Sequence, residues 1–221
     1  MINTEILIVG GGPAGLCAAK AASSQGASVI ICERDQVPGG QLVKQTHKFF
    51  GSRKQYAGDR GIAIGEFLLE EVHKDPKIEV LSGATVIGIY EDGLVLAERP
   101  ASGEIDEEII KIKAKRIIIA TGAAEDFLLF PGNDLPGIYG AGAVQTLMNV
   151  DGVVPGNRVL MVGASNIGLI VSYQLAQAGV EVAAVIRRSP TIGGYLVHAS
   201  KIRRIGIPVR TRHTKIGRAH V

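Results

Sequence analysis

Ile6-Leu7-Ile8-Val9-Gly10-Gly11-Gly12-Pro13-Ala14-Gly15-Leu16-Cys17-Ala18-Ala19 reads as a short apolar strand, a tight glycine turn and an Ala-rich helix. Gly10, Gly12 and Gly15 satisfy G-x-G-x-x-G, in which one glycine makes the turn, one lets a pyrophosphate approach the backbone and one allows close helix–strand packing. Pro13 and Ala14 open the helix, whose free N–H groups and dipole favour an anion. A second apolar strand, residues 27 to 32, ends in Glu33, where a carboxylate reaches a ribose hydroxyl pair. The unit therefore reads as a Rossmann-like dinucleotide site; the alternative is a glycine-rich βα turn that binds nothing. The rest of the composition agrees with an α/β layer fold, since 221 residues carry 29 Gly, 46% apolar side chains and no Trp. Intrinsic disorder and a collagen-like chain are excluded by the same figures.

Arg34-Asp35-Gln36-Val37-Pro38-Gly39-Gly40-Gln41-Leu42 supplies a second glycine turn, and Arg116 to Ala123 is a later apolar strand ending in Ala120-Thr121-Gly122. At these residues the chain resembles the flavoproteins of the pyridine nucleotide-disulfide oxidoreductase type, which carry two dinucleotide-binding domains. The resemblance implies that the first unit holds FAD, that the segment from Glu33 and Arg34 to Gly40, Gln41 and Leu42 runs from the adenosine ribose towards the flavin, and that Ala120, Thr121 and Gly122 close over the cofactor.

Between these landmarks, Asp59 to His73 reads as an amphipathic helix with Ile62, Ile64, Phe67, Leu68 and Val72 on its apolar face. Residues 78 to 113 read as β, with strands at 78–80, 84–90, 94–98 and 109–112 and a turn at Pro100-Ala101-Ser102-Gly103. A β-meander inserted in a Rossmann unit fits the resemblance, which places Val86 against the adenine ring. An internal repeat then decides the organisation: Arg158-Val159-Leu160-Met161-Val162-Gly163-Ala164-Ser165-Asn166-Ile167-Gly168 restates the opening motif, and Gly193-Gly194-Tyr195-Leu196 restates the second glycine turn. The expected division is an FAD-binding domain over 1–154 and an incomplete NAD(P)-binding domain over 155–215, joined by a Pro/Gly-rich linker.

The second unit departs from the motif twice. Ser165 stands at the middle glycine, where its Cβ would crowd a pyrophosphate and weaken binding. Arg187-Arg188 stand where an acid would hold a ribose 2′-hydroxyl, which suits a 2′-phosphate and NADP; the alternative is a vestigial unit with solvated arginines. Gly163, Asn166, Ile167 and Gly168 complete the expected cofactor contacts.

Two cysteines, Cys17 and Cys32, fall on the first helix and the second strand, both expected to pack in the interior. No redox pair follows the glycine turn, so dithiol chemistry is not expected despite the family name. The segment Phe130 to Asn149, with Ala141-Gly142-Ala143-Val144-Gln145-Thr146-Leu147-Met148-Asn149 at its centre, resembles one branch: the flavoprotein subunits of opine oxidase and hydrogen cyanide synthase and the sarcosine oxidase alpha chain. This implies hydride transfer between flavin and NAD(P) or a small amine, amino-acid or hydroxy substrate, inside an oligomer or hetero-complex with a partner redox subunit. His47, just past the glycine turn, is the candidate proton-handling or flavin-contacting group, against the alternative of a surface loop histidine. No metal site is expected, because His, Cys, Asp and Glu show no ligand spacing.

All 21 acidic residues lie at or before Glu181, whereas Arg187 to Arg218 contain only basic charge. A basic tail can signal nucleic acid. Here it is read as a chain cut in mid-domain, so no nucleic-acid partner is expected. Ile216 to Val221 is what ATC GGA AGA GCA CAC GTC encodes, a string resembling a sequencing adapter, and these six residues are expected to be an artefact. The second unit is then expected to stop after barely two strands, and the fragment to bind FAD poorly and be inactive alone. No apolar run reaches the roughly 18 residues of a membrane span, and the start lacks a secretory n-region, so a cytoplasmic protein is expected. The competing function is a non-catalytic nucleotide-binding or electron-relay subunit.

Overall fold

The computed structural model describes residues 1–100 and 107–215, so the turn expected beyond Pro100 and the six C-terminal residues lie outside it. The chain forms two compact units that divide between Ala123 and Ala124.

In the first unit, β1 (Ile2–Val9) leads through the glycine turn into α1 (Pro13–Ser24), and β2 (Val29–Glu33) follows. A 3₁₀ turn at Gly40–Lys44 precedes α2 (Gly61–His73), β3 (Ile78–Ser82), β4 (Thr85–Ile89), β5 (Leu94–Pro100) and β6 (Glu107–Ile119). They make one sheet of order β3-β2-β1-β6-β5-β4, with β1 parallel to β2 and β6 and the β4-β5-β6 meander antiparallel. All five residues of β2 are buried, as an apolar run covered on both faces must be. Ile8, Ile31, Leu16, Ile64, Leu68 and Val72 form the core beneath α1 and α2, and Leu7, Ile30, Cys32, Leu81, Val95 and Ile112 form the core on the other face.

The sequence suggested two strands across 109–112 and 116–123, and the structure has one. β6 is continuous because its first half pairs with β5 along one edge while its second half pairs with β1 along the other. Phe67, expected on the buried face of α2, is 43% exposed, with the Lys20 ammonium 5.6 Å above its ring.

The second unit contains α3 (Ala141–Asn149), β7 (Arg158–Val162), α4 (Asn166–Gln177), β8 (Glu181–Arg187), α5 (Leu196–Arg204) and β9 (Val209–Thr211). Its sheet is parallel, in the order β7-β8-β9. The third strand corrects the expectation of barely two: Val209–Thr211, sandwiched between Pro208 and Arg212, is too short to show a period, yet it aligns with Val185–Arg187. Residues 124–154, placed by the sequence with the first domain, pack within this unit. Both oxygens of the Glu125 carboxylate accept N–H bonds at the start of α3, from Ala141 and Gly142, each at 2.9 Å. Val144 joins Leu169, Val171 and Leu175 in the core, and the buried Gln145 Nε2 donates to Gln174 Oε1 at 3.0 Å.

Candidate nucleotide-binding turns

The backbone fixes the first turn before any ligand is considered. Gly10 N–H donates to the Cys32 carbonyl at 2.8 Å, and Ala120 N–H donates to the Val9 carbonyl at 2.8 Å, so the ends of β1, β2 and β6 converge. Gly10 has φ +107°, and a Cβ there would run into the Ala120 carbonyl oxygen. A Cβ on Gly15 would run into the Gly10 carbonyl oxygen. These two glycines are demanded by the chain's own packing.

Gly12 is not. Its φ of −73° suits any residue, and a Cβ there would meet only the Gly40 Cα, at an ordinary 3.8 Å. It caps α1, whose N-terminus receives no side-chain cap among the described residues, so free N–H groups and the positive end of the helix dipole stand beside a bare backbone surface. Glu33 completes the corner: 7% exposed, its Oε2 accepts the Gly11 N–H at 2.6 Å and its Oε1 the Asp35 N–H at 2.8 Å. Each carboxylate oxygen keeps a further acceptor site for a hydroxyl. The second glycine turn lies on the first, with Gly39 N–H donating to the Gly11 carbonyl at 2.8 Å and the Gly40 position closing to 2.9 Å from the Gly12 Cα when a Cβ is built. These residues fit a dinucleotide pyrophosphate and ribose.

The other residues expected to touch the cofactor differ in burial and partners. Ala14, Arg34, Gln41, Thr121 and Gly122 are exposed, and Pro13 is half-buried. Arg34 pairs with Asp35 at 3.5 Å on the surface. Leu42 turns its side chain into the core with Ile64 and Leu68, so its contribution to a ligand would come from backbone. Val86 is half-buried on β4 opposite Ala97. His47 is half-buried and stacks on Phe49, with 5.5 Å between ring centroids.

The thiols separate. Cys17 is exposed, correcting the expectation that it packs in the interior: it falls on the outer face of α1, whose inner face is made by Gly15, Leu16 and Ala19. Cys32 is buried on β2, and burial, followed by the nearby Glu79 charge, pushes its thiol up to about 12.

The second unit rebuilds the turn. Gly163 N–H donates to the Ile186 carbonyl at 2.9 Å, and Gly193 N–H to the Ala164 carbonyl at 3.0 Å. A Cβ on Gly168 would run into the Gly163 carbonyl oxygen, as at Gly15. Ser165 caps α4 with φ −79° and ψ 177°, close to the Gly12 geometry, and its side chain is exposed. Ile167 is exposed, whereas Asn166 Oδ1 is engaged by the Tyr195 N–H at 2.7 Å and so pins the second glycine turn. Arg187 is half-buried; its Nη1 donates to the Ala164 carbonyl at 3.2 Å, and its guanidinium lies where a Cβ on Gly193 would be. Arg188 is exposed. Sequence reasoning missed Glu125, which holds the start of α3, and read Asn166 only as a cofactor contact, not as the residue that pins the second glycine turn; neither stands in a capping pattern next to the groups it holds.

Residues 4–214 match the family model described as pyridine nucleotide-disulphide oxidoreductase. The chain is 32% identical over 200 residues to the sarcosine oxidase alpha chain of Rhizobium meliloti (strain 1021), covering 86% of this chain and 20% of that protein. It is 30% identical to an opine oxidase subunit of Agrobacterium tumefaciens (strain Ach5), covering 88% and 39%. The chain thus spans between a fifth and two fifths of these relatives' length. Among solved structures, T. acidophilum thioredoxin reductase superposes with a TM-score of 0.73 at 20% identity, over 100% of this chain and 68% of that one. With both glycine turns inside the matched segment, the chain belongs to the pyridine nucleotide-disulphide oxidoreductase family.

Proposed function

We propose that this chain is the nucleotide-binding part of an FAD-dependent, NAD(P)-linked oxidoreductase that works without a redox disulfide, the first unit holding FAD and the second NAD(P). One observation carries the reading: Gly12 is a glycine that nothing in the chain's own packing requires, at an uncapped helix N-terminus beside a held carboxylate. Bound FAD would supply a two-electron, hydride-accepting centre. The chain's residues do the rest. Gly10, Gly12 and Gly15 bring α1 to the pyrophosphate, Glu33 accepts ribose hydroxyls, and Ala120 to Gly122 border the same corner. His47 is assigned to hold or release a proton near the flavin, its ring fixed by Phe49. The free cysteines, one of them exposed, fit a reducing compartment, so a cytoplasmic setting belongs to the proposal.

The test is direct. Since this part of the relatives' length is expected to hold FAD weakly, the chain is titrated with FAD in excess: the flavin it binds should show protein-bound absorbance, and its anaerobic bleaching by NADH, NADPH or a small amine donor is read on that bound fraction. Gly12→Ala should fold normally and lose the flavin; retention of full flavin by that variant would sink the assignment. The second reading, a non-catalytic relay subunit, is favoured by the relatives' being named as subunits. Flavin that binds tightly and is reduced by none of these donors would select it.

A further inference from the structure

The two units repeat each other beyond the glycine turns. In the first, Ala84 N–H donates to the Glu33 carbonyl at 2.8 Å and Gly83 N–H to the Asp35 carbonyl at 3.2 Å. In the second, His213 N–H donates to the Arg187 carbonyl at 3.0 Å and Arg212 N–H to the Ser189 carbonyl at 3.2 Å. The segment leaving the third strand therefore crosses the end of the second strand identically in both copies. Gly83 takes φ +67° there, and Arg212 takes φ +59°. A left-handed conformation is natural for glycine and unfavourable for arginine, and residues held in it concentrate at functional sites. Tyr56 and Arg212 are the non-glycine residues with positive φ among those described.

The charge of this corner inverts between copies. Glu33 and Asp35 accept the backbone N–H groups of Ala84 and Gly83 in the first, whereas in the second Arg187 and Arg188 lead into Ser189, whose carbonyl accepts the Arg212 N–H. Arg187 is engaged, because its guanidinium donates to the Ala164 carbonyl and packs over Gly193. Arg188 and Arg212 are exposed and form no ion pair among the described residues. In an open parallel sheet the ligand crevice lies outside the carboxyl ends of the strands, and the residue ending the second strand meets the adenosine ribose.

We propose that Arg212, with Arg188, is the specificity-determining residue for an adenosine ribose that carries a 2′-phosphate, and that Arg187 is a positioning residue that holds the turn. This rests on the reading of the second unit as a pyridine-dinucleotide site. Two arginines leaving adjacent strand ends give a phosphate dianion charge-assisted donors from two directions. The left-handed arginine is what brings the second of them to the corner.

The experiment is calorimetric titration of the full chain with adenosine 2′,5′-bisphosphate and with 5′-AMP. The bisphosphate should bind at least about tenfold tighter. Arg212→Gly, which restores the residue of the first copy, and Arg212→Asn, which keeps a residue tolerant of the left-handed region, should each erase that preference while leaving 5′-AMP within about twofold. Arg212→Gly should also melt no lower than the parent chain. Arg187→Ala should weaken both nucleotides alike. An undiminished bisphosphate preference in Arg212→Gly overturns the inference, as does a selective loss confined to Arg187→Ala. Equal binding of both nucleotides to the parent chain overturns it too, while leaving the second unit a nucleotide site; binding of neither overturns that reading itself.

Discussion

The turn after β1 and the turn after β7 share a backbone and differ in side chains. In each, the first glycine N–H bonds the end of the next strand, and the third glycine abuts the carbonyl oxygen of the first. Between these fixed points Gly11 becomes the buried Ala164, Gly12 becomes Ser165, and Glu33 becomes Arg187. The strand-end side chain grips the turn in both cases. Glu33 accepts the N–H of Gly11, and Arg187 donates to the C=O of Ala164, so opposite charges use opposite ends of equivalent peptide residues. The turn's shape therefore depends on two outer glycines, and the charge presented to a ligand can vary without cost to that shape.

The strongest test of this equivalence substitutes the outer glycines. Gly15→Ala and Gly168→Ala should each cost about 3 kcal/mol in chemical denaturation, because a Cβ must displace a carbonyl. A large loss at one position and none at the other would break the equivalence. Next in size, Glu33→Gln forfeits an acceptor for one of two N–H groups and should cost about 1–3 kcal/mol, with flavin released. Smaller again are the middle positions: Gly12→Ala and Ser165→Gly should each shift stability by about 0.5 kcal/mol or less. Their ligand effects should be opposite, Gly12→Ala weakening flavin binding and Ser165→Gly strengthening dinucleotide binding, both read by equilibrium titration.

The smallest effect on ligand binding is expected at Cys32, whose counterpart at the end of β8 is Ile186, an apolar residue. Cys32→Val should cost under about 1.5 kcal/mol. In the native chain a thiol reagent should label Cys17 and spare Cys32. The Cys32 thiol titrates near 12 when folded, raised from 9.0, so the folded state favours its neutral form. Its contribution is fully present below pH 9 and is lost as pH rises towards 12; the valine variant should lack this alkaline component of the stability profile.

Much of the first turn could be read from the chain because its glycines recur at fixed spacing and each has a local steric reason. The repeat at Gly163 was legible in the same way. Less legible was the one-residue offset between copies: a bulge at Ala183, between Val159↔Val182 and Leu160↔Ala184, shifts the second glycine turn and the strand-end residue by one. β9 escaped because three residues flanked by Pro208 and Arg212 show no alternation. The membership of residues 124–154 escaped as well, because it rests on a buried hydrogen bond from Gln145 to Gln174, made beside Val144 where that side chain joins the core under α4. Such tertiary hydrogen bonds leave no periodic mark in a sequence.

The continuous β6 has a consequence for synthesis. β1 lies between β2 and β6, and its pairing with β6 joins residues about as far apart as Glu5 and Lys115, whose side chains meet across 110 positions of chain. At roughly 5–20 residues per second, the nascent Ile6-Leu7-Ile8-Val9 edge stays unpaired on that side for several seconds until β6 emerges from the ribosome. That open edge is the interval of greatest exposure to aggregation, and the late strand that ends it also delivers Ala120 to the glycine turn.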